Sequence, residues 1–254
     1  MRCDAGGIGG DDLRLGAKTF AKVKKMAEFP LISANVVTQR GRRVSVSSVV
    51  KKTGGLRWGV FSLTSANPPL KAKDRDWNVL DPVTTGKEVV GELQDKADVI
   101  ILLAAMQLRE LKSLLRQVPG ITFAVVGDNP SGLSRPLQVG QTIVVSSNAY
   151  GRYLGVLTLS LRDPAAPFVD EARIMQLKQE LDVLEAKIKQ GKSESLVDQK
   201  QKVEADLKAL QQNNSYRNEL IRLSSRFRED QKVNEVVRKF SAQMQELNKG
   251  CSAQ

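Results

Sequence analysis

The chain has 254 residues, with 39 Lys and Arg against 28 Asp and Glu, a net charge of +11 and no histidine. Hydrophobic residues at 41% and charged ones at 26% fit a folded protein with one large core or two smaller ones, and no apolar run reaches the roughly 20 residues of a membrane span. Without histidine there is no Ser-His or Cys-His relay, and no Gly-x-x-x-x-Gly-Lys-Ser/Thr phosphate loop is present.

Cys3 and Cys251 lie at opposite ends and read as free thiols, too few for a disulfide scaffold or a zinc cluster. The opening "MRCDAGGIGGDDLRLG" has no apolar core and does not read as a signal peptide. Residues 1–164 hold 23 Lys and Arg against 14 acids, and residues 165–254 hold 16 against 14. The excess sits in the first part and is scattered there, with small clusters at Lys24–Lys25, Arg42–Arg43 and Lys51–Lys52. No aromatic residues interleave with them, which argues against a nucleic-acid platform and for a solvated basic surface.

In chain order, a helix is expected over about 15–27 and a strand over 29–37 ("FPLISANVV"). Residues 44–65 read as two strands turning at Thr53–Gly55. Pro68, Pro69 and Pro82 make 66–82 a loop. A helix follows over 83–97, then the continuous apolar strand "DVIILLAAM", buried on both faces. "QLRELKSLLRQV" is a helix, and "ITFAVVG", "TIVVSS" and "GVLTLSL" are strands. This alternation predicts an α/β layered sandwich.

The composition changes at Asp163–Pro167. Beyond Pro167 there is no proline, and Gly191 is the single glycine before Gly250. Residues 164–254 therefore read as an all-α extension. Ile174, Leu177, Leu181, Leu184 and Ile188 step by three and four residues, and Val203, Leu207 and Leu210 continue the stripe beyond a break at Gly191–Ser193. The pattern serves an intramolecular hairpin over about 168–212 or an intermolecular coiled coil; the short heptad run favours the hairpin. Two further helices are expected, over about 216–228 and 231–248.

Several segments, in order, resemble the 5′-nucleotidase branch of the calcineurin-like metallophosphoesterases. "FPLISANVV" resembles the strand after the family's Asn-His motif, and "GLRWGVFSLTS" its Gly-Val-x-Gly-Leu-Thr strand. "DVIILLAAMQ" and "VPGITFAVVGDNPS" resemble strands that end in its His-bearing loops. "VGQTIVVSSNAYGRYLGVLTLSL" resembles its closing strands. The likeness covers residues 1 to about 162 and implies a layered αββα sandwich, partial here because the family's first Asp-x-His and Gly-Asp motifs have no counterpart. "FREDQKVNEVVRKF" resembles the linker to the family's C-terminal domain, and the resemblance implies a piece of a longer protein exported to the periplasm or cell surface.

The family holds two metal ions on Asp, Asn and His side chains to activate water and clamp phosphate. The resemblance places its Gly-Asn-His-Glu motif on Gly9, Gly10, Asp11 and Asp12, its Leu-Ala-His on Leu103, Ala104 and Ala105, and its Gly-His-x-His on Asp128, Asn129, Pro130 and Ser131. Gly10 and Ala105 offer no donor atom, and Asn129 and Ser131 are weak neutral ones. Asp11, Asp12 and Asp128 remain, enough for one loosely held hard cation. Asp-Asp before a helix is equally a dipole arrangement, and "GDNPSG" is ordinary turn chemistry.

The expectation is a non-catalytic, degenerate domain without metal or cofactor, acting as a scaffold or interaction module. The alternative is a residual nucleotide or phosphoester hydrolase using Mn, Zn or Mg on Asp11, Asp12, Asp128 and Asn129. Two other readings are nucleotide or phosphate binding in a leftover cleft, and association with itself or a protein partner through the helical extension.

Overall fold

A computed structural model describes residues 3–68, 76–129, 131–147, 151–164, 166–191 and 193–251, except for the side chains of 244 and 246–251. Pro69, Pro130 and the middle of the closing-strand motif, at 148–150, lie outside the described residues. The chain packs as two units, Met1–Ile221 and Arg222–Gln254.

The centre of the first unit is a six-stranded sheet in the order β4 (Ser48–Thr53), β5 (Leu56–Thr64), β7 (Val99–Ala105), β8 (Phe123–Val126), β10 (Thr142–Val145), β9 (Leu137–Val139). The middle four run parallel, and β4 and β9 close the edges antiparallel. The β4–β5 hairpin turns at Gly54 and Gly55, with φ of 62° and 81°, the left-handed backbone a tight hairpin needs and glycine adopts without strain.

The sheet's two faces are set by alternation. Phe61, Leu63, Leu102, Ala104, Ala124 and Val144 face α3 (Pro82–Gln94) and α4 (Leu108–Gln117), and they bury against Val89, Leu93, Leu111 and Leu114. Val99, Phe123, Ile143 and Val145 face the other way. There they meet a small sheet of β11 (Tyr153–Ser160), β13 (Asn214–Arg222) and β12 (Phe168–Asp170). Phe123 packs edge-on to Phe168 and to Tyr216. The architecture is the layered α/β sandwich expected.

A third layer supports the carboxyl ends of the strands. β1 (Gly6–Gly7) pairs in parallel with β2 (Leu31–Ile32), and β3 (Val36–Thr38) antiparallel with β6 (Trp77–Val79). α1 (Gly10–Leu13) and α2 (Gly16–Met26) bury Leu13 and Phe20 with Ile8, Val36 and Trp77. The expected single strand over 29–37 is two short ones, and 77–79, expected within a loop, is a strand. Between β2 and β3, Asn35 is fully buried. Its Nδ2 donates to Thr64 O (2.7 Å) and Leu80 O (3.2 Å), and its Oδ1 accepts from Thr64 N (2.9 Å).

The extension, expected to be all-α with a hairpin from about 168, instead begins with strand β12 and continues as an antiparallel hairpin of α5 (Glu171–Gln190) and α6 (Glu194–Gln211). Leu177, Leu184 and Val203 bury against Leu181, Leu196, Leu207 and Leu210, so the stripe is closed within the chain. The next segment corrects the sequence reading: Asn214–Arg222 is strand, not helix. Pairing in parallel with β12 overrides the local helical preference. Buried Asn214 also secures the change of composition at 163–167. It donates to Asp163 O and Ala166 O, both at 2.7 Å, and accepts from Arg162 N at 2.8 Å.

The second unit holds α7 (Gln231–Cys251), where a helix was expected over 231–248. Val233, Val236, Val237 and Phe240 are exposed on it. Among the described residues no helix is long and apolar enough to cross a membrane.

Candidate functional site

The carboxyl ends of parallel strands leave the sheet together, and loops that follow them form a common rim. Here β5 leads to Ser65 and Asn67, β7 to Ala105, Gln107 and Glu110, and β8 to Gly127 and Asp128. β1 leads to Gly9, Gly10, Asp11 and Asp12. These residues line one cleft of about 620 Å³. Backbone bonds fix where two of the loops start: Ser65 N donates to Ala105 O (3.0 Å) and Gly127 N to Ala104 O (2.9 Å). Thr64 Oγ1 donates to Ile8 O (2.8 Å), tying the β1 loop to the end of β5.

The floor is closely fitted. A Cβ on Gly7 would stand 2.7 Å from Ser62 Oγ, and one on Gly9 would stand 3.3 Å from Ala105 Cβ. Only a glycine lets β1 approach β5 at Gly7. Ser62 is fully buried, and its Oγ has no hydrogen-bond partner among the described residues.

Of the seven positions singled out in the sequence, the structure brings five into the cleft: Gly10, Asp11, Asp12, Ala105 and Asp128. Asn129 and Ser131 are not among its lining residues. Asn129 is half-buried in a turn whose Gly132 N donates to Asn129 O. Its Nδ2 is shielded and has no partner among the described residues, and Ser131 is exposed.

The described lining carries four carboxylates, Asp11, Asp12, Glu110 and Asp128, and neither Lys nor Arg. Three of the four are engaged. Asp11 Oδ1 meets Arg14 Nη1 at 3.1 Å, with the aspartate side chain 92% exposed. Asp12 Oδ2 accepts from Gly9 N at 2.8 Å. Glu110 accepts from Ser65 Oγ at 2.7 Å and from Ala66 N at 3.1 Å. Asp128 is exposed. Among the described residues, no three His, Cys, Asp or Glu side chains gather closely enough to hold a metal ion.

Glu110, Ser65 and Gln107 were missed in the sequence. The available signal was position: an acid in the first turn of the helix that follows a buried strand stands at the strand-end rim.

No family model matches the chain. Over 165 residues it is 24% identical to the uncharacterized metallophosphoesterase YunD of Bacillus subtilis (strain 168), covering 63% of this chain and 36% of that protein's length. The calcineurin-like phosphoesterase YfkN from Bacillus subtilis superposes with a TM-score of 0.55 at 24% identity, over 64% of this chain and 60% of that one. A 5′-nucleotidase precursor from Thermus thermophilus gives 0.53 at 22%, over 63% and 36%. The sulfate thiohydrolase SoxB from the same species gives 0.58 at 18%, over 63% and 30%. The chain thus spans about a third of the curated relative. Its α/β part has the fold of the calcineurin-like metallophosphoesterases and resembles their 5′-nucleotidase branch.

Proposed function

We propose that the α/β part, up to about residue 163, is a degenerate, non-catalytic metallophosphoesterase-like domain, and that the chain acts as a scaffold or interaction module. One observation carries this reading: the strand ends converge, but among the described residues the donors a dinuclear centre needs do not stand on them. Gly10 and Ala105 have no donor atom. Asp11, Asp12 and Glu110 already face Arg14, a backbone amide and a hydroxyl. Two close dications need several anionic or imidazole ligands at about 2 Å to offset their mutual repulsion. The residues present do not fit that group, and no hydrolytic step is derived through it.

The cleft's sign speaks in the same direction. A phosphate or nucleotide entering between four carboxylates, with no cation in the described lining, meets repulsion rather than a clamp. This argues against the leftover-cleft reading of nucleotide binding.

A second reading has one observation in its favour. Asp11, Asp12, Glu110 and Asp128 do face one cavity, and hard cations accept oxygen ligands alone. That reading is a residual metal-dependent phosphoester hydrolase. The purified chain, assayed on generic phosphoesters with Mn²⁺, Zn²⁺ or Mg²⁺, separates the two. The expected result is no turnover above the metal-only background. Turnover that disappears in both Asp11→Ala and Asp128→Ala would overturn the non-catalytic reading.

A further inference from the structure

The positive charge of this protein is concentrated. Residues 14–46 hold eight Lys and Arg against a single acid, Glu28, so this segment supplies +7 of the net +11. All eight are exposed. Seven of them come from two places, α2 and the turn after β3, while Arg14 ends α1 and pairs with Asp11; Lys24 Nζ donates to Val44 O (2.7 Å) across the junction. Between the two lies a groove of about 560 Å³. Its rim is Lys24, Lys25, Arg42 and Arg43. Its floor is carbon, from Ala17, Phe20, Ala21, Val44 and Trp77. Among the described residues, no carboxylate stands within ion-pair distance of the four rim cations.

We propose that this groove docks an extended acidic segment of a partner protein that also carries apolar side chains. Charge complementarity selects the sign: four cations around one concavity attract an anionic chain and speed its encounter. The accessible carbon of the floor, from Ala17, Ala21 and Val44 above the buried rings, selects the apolar component, because a purely ionic ligand would leave that surface wet. The floor also argues against a nucleic acid. Phe20 and Trp77 pack edge-to-face at 5.6 Å and are 3% and 7% exposed, so neither ring face is open for base stacking. The Trp77 indole N–H is already donated to Leu13 O at 3.0 Å. The groove is separate from the acidic cleft, and this inference does not depend on whether that cleft is catalytic.

The test uses the full chain and a fluorescent peptide of Glu-Glu-Leu repeats, read by anisotropy. The comparison probes are a Glu-Glu-Gly peptide, oligo-dT, and phosphatidylcholine vesicles with and without phosphatidylserine. The expected result is that Glu-Glu-Leu binds about tenfold tighter than Glu-Glu-Gly, and that added salt weakens it because exposed charges are screened. Arg42→Glu with Arg43→Glu should abolish binding. Lys25→Glu, at an exposed position of α2, gives a second reversal should the first disturb folding; circular dichroism is recorded for both. Equal binding of both peptides and oligo-dT would overturn the proposal in favour of an unselective polyanion surface. Binding of the charged vesicles with no binding of the peptides, or no binding of any probe, would overturn it too. No hydrolysis is read in this experiment, so its failure is distinguishable from failure of the non-catalytic reading.

Discussion

The sheet beneath the cleft and the loops around it are built to different rules. Beneath, Phe61, Leu102, Ala104 and Val126 are buried to 2% exposure or less, each held on both sides by neighbours in the same sheet and by helices above. At the rim, Asp11 and Asp128 stand in solvent, and Asp12 and Glu110 bond to nearby backbone or hydroxyl groups. The floor is specified by packing among many residues, the rim by a few individual polar contacts. A fold can therefore persist while the chemistry of its loop tips changes, since the two draw on different residues. The contrast predicts a graded response to mutation that falls from floor to rim.

The largest effect is expected at Asn35, where the floor meets the rim. Its amide makes three hydrogen bonds to backbone groups in a fully buried setting. Asn35→Ala leaves the Thr64 N–H and C=O without a partner and should destabilise the protein by about 3 kcal/mol, measured by urea unfolding. A loss below about 1 kcal/mol would mean that water enters and replaces the side chain, and the floor would be softer than the contrast requires.

Tyr216 tests the other face of the sheet. Burial, with the nearby Asp170 carboxylate second, pushes its phenol up to about 12 from the usual 10.0. Below pH 10 the phenol is neutral in both folded and unfolded chains, and the full stability is present. Between 10 and 12 the unfolded chain ionises first, so stability falls as pH rises, by about 2–3 kcal/mol in all. Tyr216→Phe should flatten that alkaline limb, which chemical denaturation along a pH series would reveal.

The floor was largely legible in the sequence, and for a physical reason. Continuous apolar runs such as Val99–Ala105 and the Leu stripe of α4 report burial directly, and Thr53–Gly55 announces its turn. The hairpin's closure was legible from Leu177, Leu184 and Val203. Strand Asn214–Arg222 was not. Its alternation of Tyr216, Asn218 and Leu220 is weak, and it lies between helices, so only the partner strand Phe168–Asp170, distant in sequence, makes it extended. The rim was half legible. Motif positions located Asp11, Asp12, Ala105 and Asp128, but Glu110 and Ser65 belong to no motif and meet through a hydrogen bond spanning 45 residues. The basic groove was missed because Phe20 and Trp77 are far from Arg42 and Arg43 along the chain, although they floor the same hollow.

Nearer the surface the effects should shrink. Asp81 caps α3, its carboxylate accepting from Thr84 N at 2.7 Å. That backbone bond, before any other cause, holds its carboxyl below the usual carboxylate value. Asp81→Ala should cost about 1 kcal/mol. The cap's contribution is present above the ordinary carboxylate range and fades as pH falls through the lowered folded value. The difference between Asp81→Ala and the parent should therefore close in acid, as thermal unfolding at a series of pH values would report.

The smallest effect belongs to the rim itself. Asp128→Ala removes an exposed carboxylate and should shift the stability read from urea unfolding by no more than about 0.5 kcal/mol in either direction. Removing one of the four carboxylates in the described lining relieves repulsion, so a small gain is the expected sign, most visible at low salt. A loss of several kcal/mol at Asp128 would erase the distinction between floor and rim. It would mean that this loop tip is held by contacts as demanding as those around Asn35, and that its residues are kept for the fold rather than left over above it.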